Sequence, residues 1–369
     1  MVDVTGQPRM ADMTGQASGF DPAAMQEVTS RMMADISAAM ATLMCALGLR
    51  LGIFAHMAAL GPVTSEELAA ASGLDQRYLT EWLHALAAAG YLEAAQDTKQ
   101  FAMSPDLALL VAEGSPVNVS GGYQLIPALA SAVGEVAEAF RSGDGIPPDR
   151  YSPELFEAMD LMSATWLDSM YARVWIPAIT GLAERLHAGG RVADIGCGGG
   201  RALVLGAQAF PASQFTGYEA YRPSVERARE AAAAAGVSGR VEVVHGDALT
   251  LLEGHYDLVT AFNTVHDTAD PAALLGRIRK SVDPDGVLLL LESAAADDPL
   301  HNSGSAAAIL YATSVLYCLP SSRTGDGQGL GTLGLPAGAI RDLCGTAGFR
   351  SIRLIPSPDP FNAVYEIRP

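Results

Sequence analysis

The chain is short of positive charge. Its 369 residues carry 23 Lys and Arg against 41 Asp and Glu, a formal net charge of −18 at pH 7. Phosphate recognition relies on Lys and Arg, so nucleic acid and anionic membrane are excluded as expected partners. Cysteine is scarce as well. Cys45, Cys197, Cys318 and Cys344 show neither metal-ligand nor disulfide spacing. That pattern predicts a reduced, cytoplasmic compartment. The histidines show no ligand spacing either, so no metal is expected. Residues 1–19 are polar and Gly-rich, without the basic and apolar regions of a secretory leader. One stretch, residues 36–60, is apolar enough to suggest a membrane span. It contains Arg50, His56 and several glycines, and a buried helix pair is the expectation.

A glycine is also missing where one would matter. Residues 191–200 read RVADIGCGGG. The apolar run Val192, Ala193, Ile195 carries Asp194 and ends in Gly196, Gly198, Gly199 and Gly200. A helix-compatible segment follows from Arg201 to Phe210. Strand, glycine turn and helix make the first unit of a doubly wound sheet, with a ligand at the strand's carboxyl end. The dinucleotide fingerprint G-x-G-x-x-G requires glycine at the position of Arg201, so it fails. The P-loop fails too, because no Gly-Lys-Ser/Thr follows.

The next segments narrow the ligand. QFTGYE ends a second strand in Glu219, whose carboxylate can accept two hydrogen bonds from a ribose diol. RVEVVHGD ends a third in Asp247, followed by Ala248, and an Asp there can accept from an adenine amino group. YDLVTAFN ends a fourth in Phe262 and Asn263, just before Val265-His266-Asp267. GVLLLLE is a fifth. Each acid alone could cap a helix or line a turn. Three of them closing successive strands point to one ligand.

This series resembles the class I S-adenosylmethionine-dependent methyltransferases over the last half of the chain. Asp194-Ile195-Gly196-Cys197-Gly198 matches their first motif, Glu219 the ribose-binding acid and Asp247 the adenine-binding acid. The resemblance implies S-adenosylmethionine as cofactor, S-adenosylhomocysteine as product, and a Rossmann-like α/β core of seven strands. The cofactor set is Asp194, Gly196, Gly198, Glu219, Asp247, Ala248, Asn263 and Ser163. Asp194 has a physical role to fit: a carboxylate complements the cofactor's amino group and sulfonium charge.

Residues 64–103 have a signature of their own. Thr64-Ser65-Glu66-Glu67 opens a helix with a capping box, a second helix spans residues 76–89, and a short hairpin crosses Gln96-Asp97. Helix, turn, helix, hairpin is a winged helix, and the segment resembles the dimerisation domain of plant-type O-methyltransferases and their actinobacterial relatives. A winged helix raises the alternative of a transcriptional regulator. Its would-be recognition helix offers only Arg77 and His84 as cations, which opposes that reading. The expected organisation is a flexible tail over 1–20, a winged-helix dimerisation domain over 21–113, a helical connector over 114–180 contributing to the active site, and the cofactor-binding domain over 181–369 with an insertion at 293–335.

Within the connector, Ala158-Met159 and then Ser163 resemble the Ala-Met…Ser pattern of the plant-type enzymes, on a helix that crosses the cofactor in that family. Trp166, Met170, Phe262, Tyr311 and Tyr317 are the expected substrate wall, although a core stripe explains helical spacing equally well. In the insertion, Tyr311 and Cys318 are expected on one helix face, and the Gly-rich residues 325–331 as a lid or a connector. Val265-His266-Asp267 resembles the His-Asp pair that carries the catalytic base, with Thr268 where the family has Trp. His266 is therefore the candidate base, or a residue that orients substrate. The expected function is methyl transfer to oxygen, nitrogen or carbon of a small aromatic acceptor by a homodimer. A methyltransferase-fold enzyme that moves no methyl group is the other alternative.

Overall fold

The computed structural model describes residues 21–112, 115, 117–357 and 359–369. The tail expected over 1–20 lies outside them, as do Gly114 and Pro116 of the connector. The chain divides after Ala108 into two compact units.

In the first unit, Asp21 caps helix α1 (Pro22–Arg50), its carboxylate accepting from the Ala23 amide at 2.9 Å. Helices α2 (Ile53–Leu60), α3 (Ser65–Ser72) and α4 (Gln76–Ala88) follow, then the antiparallel hairpin β1 (Leu92–Ala95) and β2 (Gln100–Met103). The capping box forms as expected: the Glu67 amide donates to Thr64 Oγ1 at 3.3 Å and the Thr64 amide to Glu67 Oε2 at 2.8 Å. Leu68, Leu79, Leu83 and Leu86 form the core with Trp82, whose indole N–H donates to the Met44 carbonyl at 2.8 Å. The expected buried helix pair is corrected in part. Ile53, Phe54 and Met57 are buried, but Ile36, Met40, Leu43 and Leu47 are exposed. The reason is that α1, at 29 residues, is far longer than the helices it packs on. By length and composition alone, α1 and residues Gly304–Ser322 are apolar enough to cross a membrane.

The second unit opens with α5 (Ser120–Ser131), α6 (Val133–Ser142) and the crossing helix α7 (Pro153–Trp166), which continues as a wide helical turn, Leu167–Trp175. Helix α8 (Leu182–Ala188) leads into the sheet. Its strands are β3 (Arg191–Ile195), β4 (Gln214–Glu219), β5 (Val241–His245), β6 (Tyr256–Phe262), β7 (Val282–Ser293), β8 (Ser351–Ile355) and β9 (Asn362–Arg368). Their order is β5-β4-β3-β6-β7-β9-β8, with β9 antiparallel to both neighbours and the rest parallel. Strand β7 shows why the sheet is buried on both sides. Val287, Leu289 and Leu291 enter one core cluster, Leu288 and Leu290 the other. Helices α9 (Arg201–Ala209), α10 (Arg222–Ala234), α11 (Ala248–Leu251) and α12 (Pro271–Ser281) connect the parallel strands. Because β4 and β6 flank β3 on opposite sides, the crevice of the doubly wound sheet opens at the carboxyl end of β3.

The insertion holds α13 (Gly304–Thr313), a wide turn at Ser314–Cys318 and a short helix at Leu319–Ser322, before α14 (Ala337–Ala347). The wide turn corrects the expected shared face of Tyr311 and Cys318. It carries more residues per turn than an α-helix, so it rotates the register. Cys318 is buried and Tyr311 is exposed. The Gly-rich segment is pinned, with the Gln328 amide donating to the Ala269 carbonyl at 3.1 Å and the Thr332 amide to Ser314 Oγ at 3.1 Å.

Candidate active site

The turn after β3 is drawn tight. Gly196 has φ +66°, and a Cβ there would collide with Thr264 Oγ1, so both dihedral and space demand glycine. The amides of Gly196 and Cys197 donate to the Tyr218 carbonyl at 2.8 and 3.2 Å. Asp194 is buried beside Thr260, its register partner on β6, whose hydroxyl donates to Asp194 Oδ1 at 2.6 Å. Burial pushes the Asp194 carboxyl up to about 7, against the pull of the Thr260 bond. Glu219 closes β4 against the same turn. Its Oε2 accepts from the Gly198 amide at 2.9 Å and its Oε1 from the Tyr221 amide at 2.8 Å. Burial raises its pKa, and these backbone bonds oppose the rise. A carboxylate offers about four acceptor positions, so capacity remains beyond these bonds.

Asp247 is exposed and accepts from the Leu249 amide at 2.8 Å as the cap of α11, with Ala248 buried behind it. Asn263 sits at φ +50°, uncommon for a residue with a side chain. Its Oδ1 is buried without a hydrogen-bond partner among the described residues. Ser163 Oγ donates within its own helix, to the Asp160 carbonyl at 3.0 Å.

His266 lies on the short turn after β6 and is buried. Its Nδ1 meets Glu292 Oε2, while Glu292 Oε1 accepts from the Val265 amide at 3.1 Å. Its Nε2 stands 3.2 Å from Asp267 Oδ1. Burial alone would lower the imidazole's pKa, but the carboxylates of Glu292 and Asp267 hold it well above the usual range. One ligand-type atom each from His266, Asp267 and Cys318 lies within 4.8 Å of the others, a grouping that could hold a metal ion. Glu292 and Cys318 were not singled out from the sequence. Each meets His266 only through the tertiary fold, and a strand-end Glu after four leucines carries no spacing signal.

The expected substrate wall separates into three places. Trp166 and Phe262 meet edge to face at 5.9 Å, with Trp175 and Tyr171 completing the group and Met170 packed on the same core. Tyr317 is buried elsewhere, edge-on to Tyr151 at 5.1 Å and to Phe156 at 6.0 Å, and Phe156 stacks on Tyr221 at 4.0 Å. Tyr311 joins neither group; its hydroxyl lies 3.4 Å from the Pro299 carbonyl.

With this geometry in place, comparison with known proteins decides the family. A methyltransferase-domain model matches residues 167–350, and an Rv2258c-like winged HTH domain model matches residues 38–112. The chain is a methyltransferase with an amino-terminal winged HTH domain. Acetylserotonin O-methyltransferase of Mus musculus is 27% identical over 95% of this chain and 91% of its own length. A 106-residue stretch is 37% identical to the polyketide synthase ThaQ of Burkholderia thailandensis, and it spans only 5% of that protein. Among solved structures, mitomycin 7-O-methyltransferase MmcR superposes with TM-score 0.67 at 20% identity, covering 94% of this chain and 99% of that one. Human N-acetylserotonin methyltransferase in complex with S-adenosylmethionine gives TM-score 0.67 at 18% identity, covering 95% and 99%.

The turn's residues fit S-adenosylmethionine, the molecule bound in the human structure. The seat combines a glycine cradle that a Cβ would block, the buried Asp194, the half-buried Glu219 and the unpartnered Asn263 Oδ1.

The buried Asp194 has a consequence for the empty protein. Its folded pKa is raised, so its stabilising contribution is full below about pH 4, the unfolded range, and is lost as pH rises through about 7. Urea denaturation of wild type and Asp194→Asn across pH 4 to 8 checks this. The variant should gain stability relative to wild type as pH rises, and a pH-independent difference would contradict the assignment.

Proposed function

We propose that this methyltransferase is a homodimer that methylates an oxygen of a small, flat, apolar acceptor. The observation that carries the reading is the buried pairing of His266 with Glu292 at the carboxyl edge of the sheet, four residues beyond Phe262 of the aromatic group. The full-length mouse relative is by name an O-methyltransferase of acetylserotonin, and MmcR of mitomycin. Both names describe methyl transfer to an oxygen.

Bound at the glycine turn, S-adenosylmethionine supplies a methyl group already activated on a sulfonium. The chain's own work is then to align acceptor and donor and to manage one proton. Asp194 would accept from the cofactor's ammonium group, Glu219 from the ribose hydroxyls, and Asp247, beside Ala248, from the adenine amino group. The backbone at Gly196 and Gly198 approaches closely, with Asn263 and Ser163 at the rim. Trp166, Met170 and Phe262 offer an apolar wall to the acceptor. Tyr317 bounds the insertion side, and Tyr311, being exposed, takes no part. His266 takes the acceptor's proton at Nε2, while Glu292 holds Nδ1 and stabilises the imidazolium formed. Asp267 yields its place at Nε2 to the acceptor. We read the His266, Asp267 and Cys318 group as part of this proton network.

The dimer reading rests on α1. Met25, Val28, Met32, Ile36 and Met40 are all exposed along it. They recur at helical spacing on a helix about 43 Å long by its rise per residue, and apolar faces of that extent are covered in soluble proteins. A second copy of the chain is the occupant. Arg77 on the would-be recognition helix is held by Glu81, so DNA contact gains no support. Four free, buried cysteines fit a reducing, cytoplasmic compartment.

Mass spectrometry of phenols and hydroxyindoles incubated with enzyme and S-adenosylmethionine tests the reaction. One methyl on oxygen, with S-adenosylhomocysteine formed in equal amount, is expected. His266→Ala should lower the rate by about 10²–10⁴-fold. Because the imidazole is held protonated, the base form appears only on the alkaline side, so wild-type rate should climb from pH 7 towards 9. Methylation of carbon untouched by the variant, or no methyl transfer at all, would overturn the reading. Light scattering tests the assembly: wild type should be dimeric and Met32→Glu with Ile36→Glu monomeric. A wild type that stays monomeric at micromolar concentration would remove the dimer.

A further inference from the structure

The glycine turn is fastened from outside the sheet. Asp160 lies on the crossing helix α7, three residues before Ser163. Its Oδ1 accepts from the Gly199 amide at 3.0 Å. Its Oδ2 accepts from Arg227 Nη2 at 2.8 Å and Nε at 3.3 Å. Arg227 stands on α10, directly beyond β4, and also donates to Ser224 Oγ at 3.0 Å. One carboxylate thus ties the crossing helix both to the cofactor turn and to the following βα unit.

The triple glycine takes a second meaning from this contact. A Cβ on Gly199 would come within 2.5 Å of Asp160 Oδ2, and one on Gly198 within 2.8 Å of Oδ1. Gly199, unlike Gly196, Gly198 and Gly200, has no positive φ that would call for glycine. Its missing side chain makes room for Asp160. A second tie lies eight residues further along the crossing segment, where Arg201, the first residue of α9, forks onto Asp168, with Nε 2.7 Å from Oδ1. Both members of the Asp160–Arg227 pair remain partly exposed, so the pair can open to solvent without breaking the core.

We propose that Asp160 is a positioning residue that latches the crossing helix over the cofactor's seat, so that the cofactor enters and leaves as Asp160 parts from Gly199 and Arg227. The proposal rests on the reading that the glycine turn holds S-adenosylmethionine. It assigns Asp160 no contact with the reacting atoms. Asp160 acts through the helix that carries Met159, Ser163 and Trp166.

Stopped-flow tryptophan fluorescence on the full-length enzyme reports the latch, because Trp166 rides on the same helix. Release of S-adenosylmethionine and of S-adenosylhomocysteine is followed in wild type, Asp160→Ala, Asp160→Asn and Arg227→Gln. Loss of a charge-assisted bond should speed release of both ligands by about tenfold or more in Asp160→Ala. The KM for S-adenosylmethionine should rise more than kcat falls. Asp160→Asn keeps an acceptor for the Gly199 amide but not the charge facing Arg227, and should fall between. Unchanged release from a folded Asp160→Ala protein would overturn the proposal. Should that variant not fold, wild-type release rates in both Asp160→Asn and Arg227→Gln would overturn it. A wild type that binds neither ligand would remove the cofactor reading itself, and the latch with it, a result separable from unchanged kinetics.

Discussion

The rest of the molecule depends on one close approach, that of the Gly196 backbone to Thr264 across the ends of β3 and β6. It can occur only because Gly196 has no side chain and tolerates φ +66°. The turn is then held on its other side by the Tyr218 carbonyl of β4. With both neighbours of β3 so engaged, the turn sits at the point where the strand order reverses. Strand ends that would otherwise point into separate loops converge there, and so do the acids that close them.

That convergence is costly. Asp194 and Glu292 are carboxylates removed from water and Glu219 is half-buried, and such groups are tolerated only when hydrogen-bonded or protonated. The fold answers each differently. Asp194 has one hydroxyl partner and a pKa raised to about 7, so it holds a proton near neutrality. Glu219 is met by two backbone amides. Glu292 is met by His266 and the Val265 amide. A fold selected for stability alone would fill these positions with apolar side chains. Groups kept at such cost, in a crevice, are functional candidates on physical grounds.

Much of this was legible in the chain. The parallel strands announced themselves as short apolar runs ending in Gly, Asp or Glu, and Asp194, Glu219 and Asp247 stand at the strand ends where the sequence places them. Local rules also gave the capping box at Thr64 and Glu67 and the cap at Asp21. What stayed hidden depends on contacts between distant segments. Asp160 looks like any acidic residue on a helix until α7 crosses the turn, 39 residues away in sequence from Gly199. Glu292 meets His266 across 26 residues. Tyr311 and Cys318 share a face on an ideal helix, and the wide turn between them breaks that pattern without a signal in composition. The exposure of α1 was hidden too, because an apolar helix reads the same whether its face is exposed or buried in its own chain.

The electrostatics of the seat follow from these same residues. Three carboxylates, Asp160, Asp194 and Glu219, gather round the turn, and Arg227, paired with Asp160, is the cation bonded to them among the described residues. The rise in the Glu219 pKa includes repulsion from Asp160. The proton on Asp194 offsets part of the repulsion among these acids. A ligand that brings positive charge relieves the repulsion, and one that brings none does not. On the proposed reading, the cofactor arrives with a sulfonium and leaves without it. The acidic seat therefore favours the charged donor over the spent product. Low dielectric around the buried Asp194 strengthens that preference.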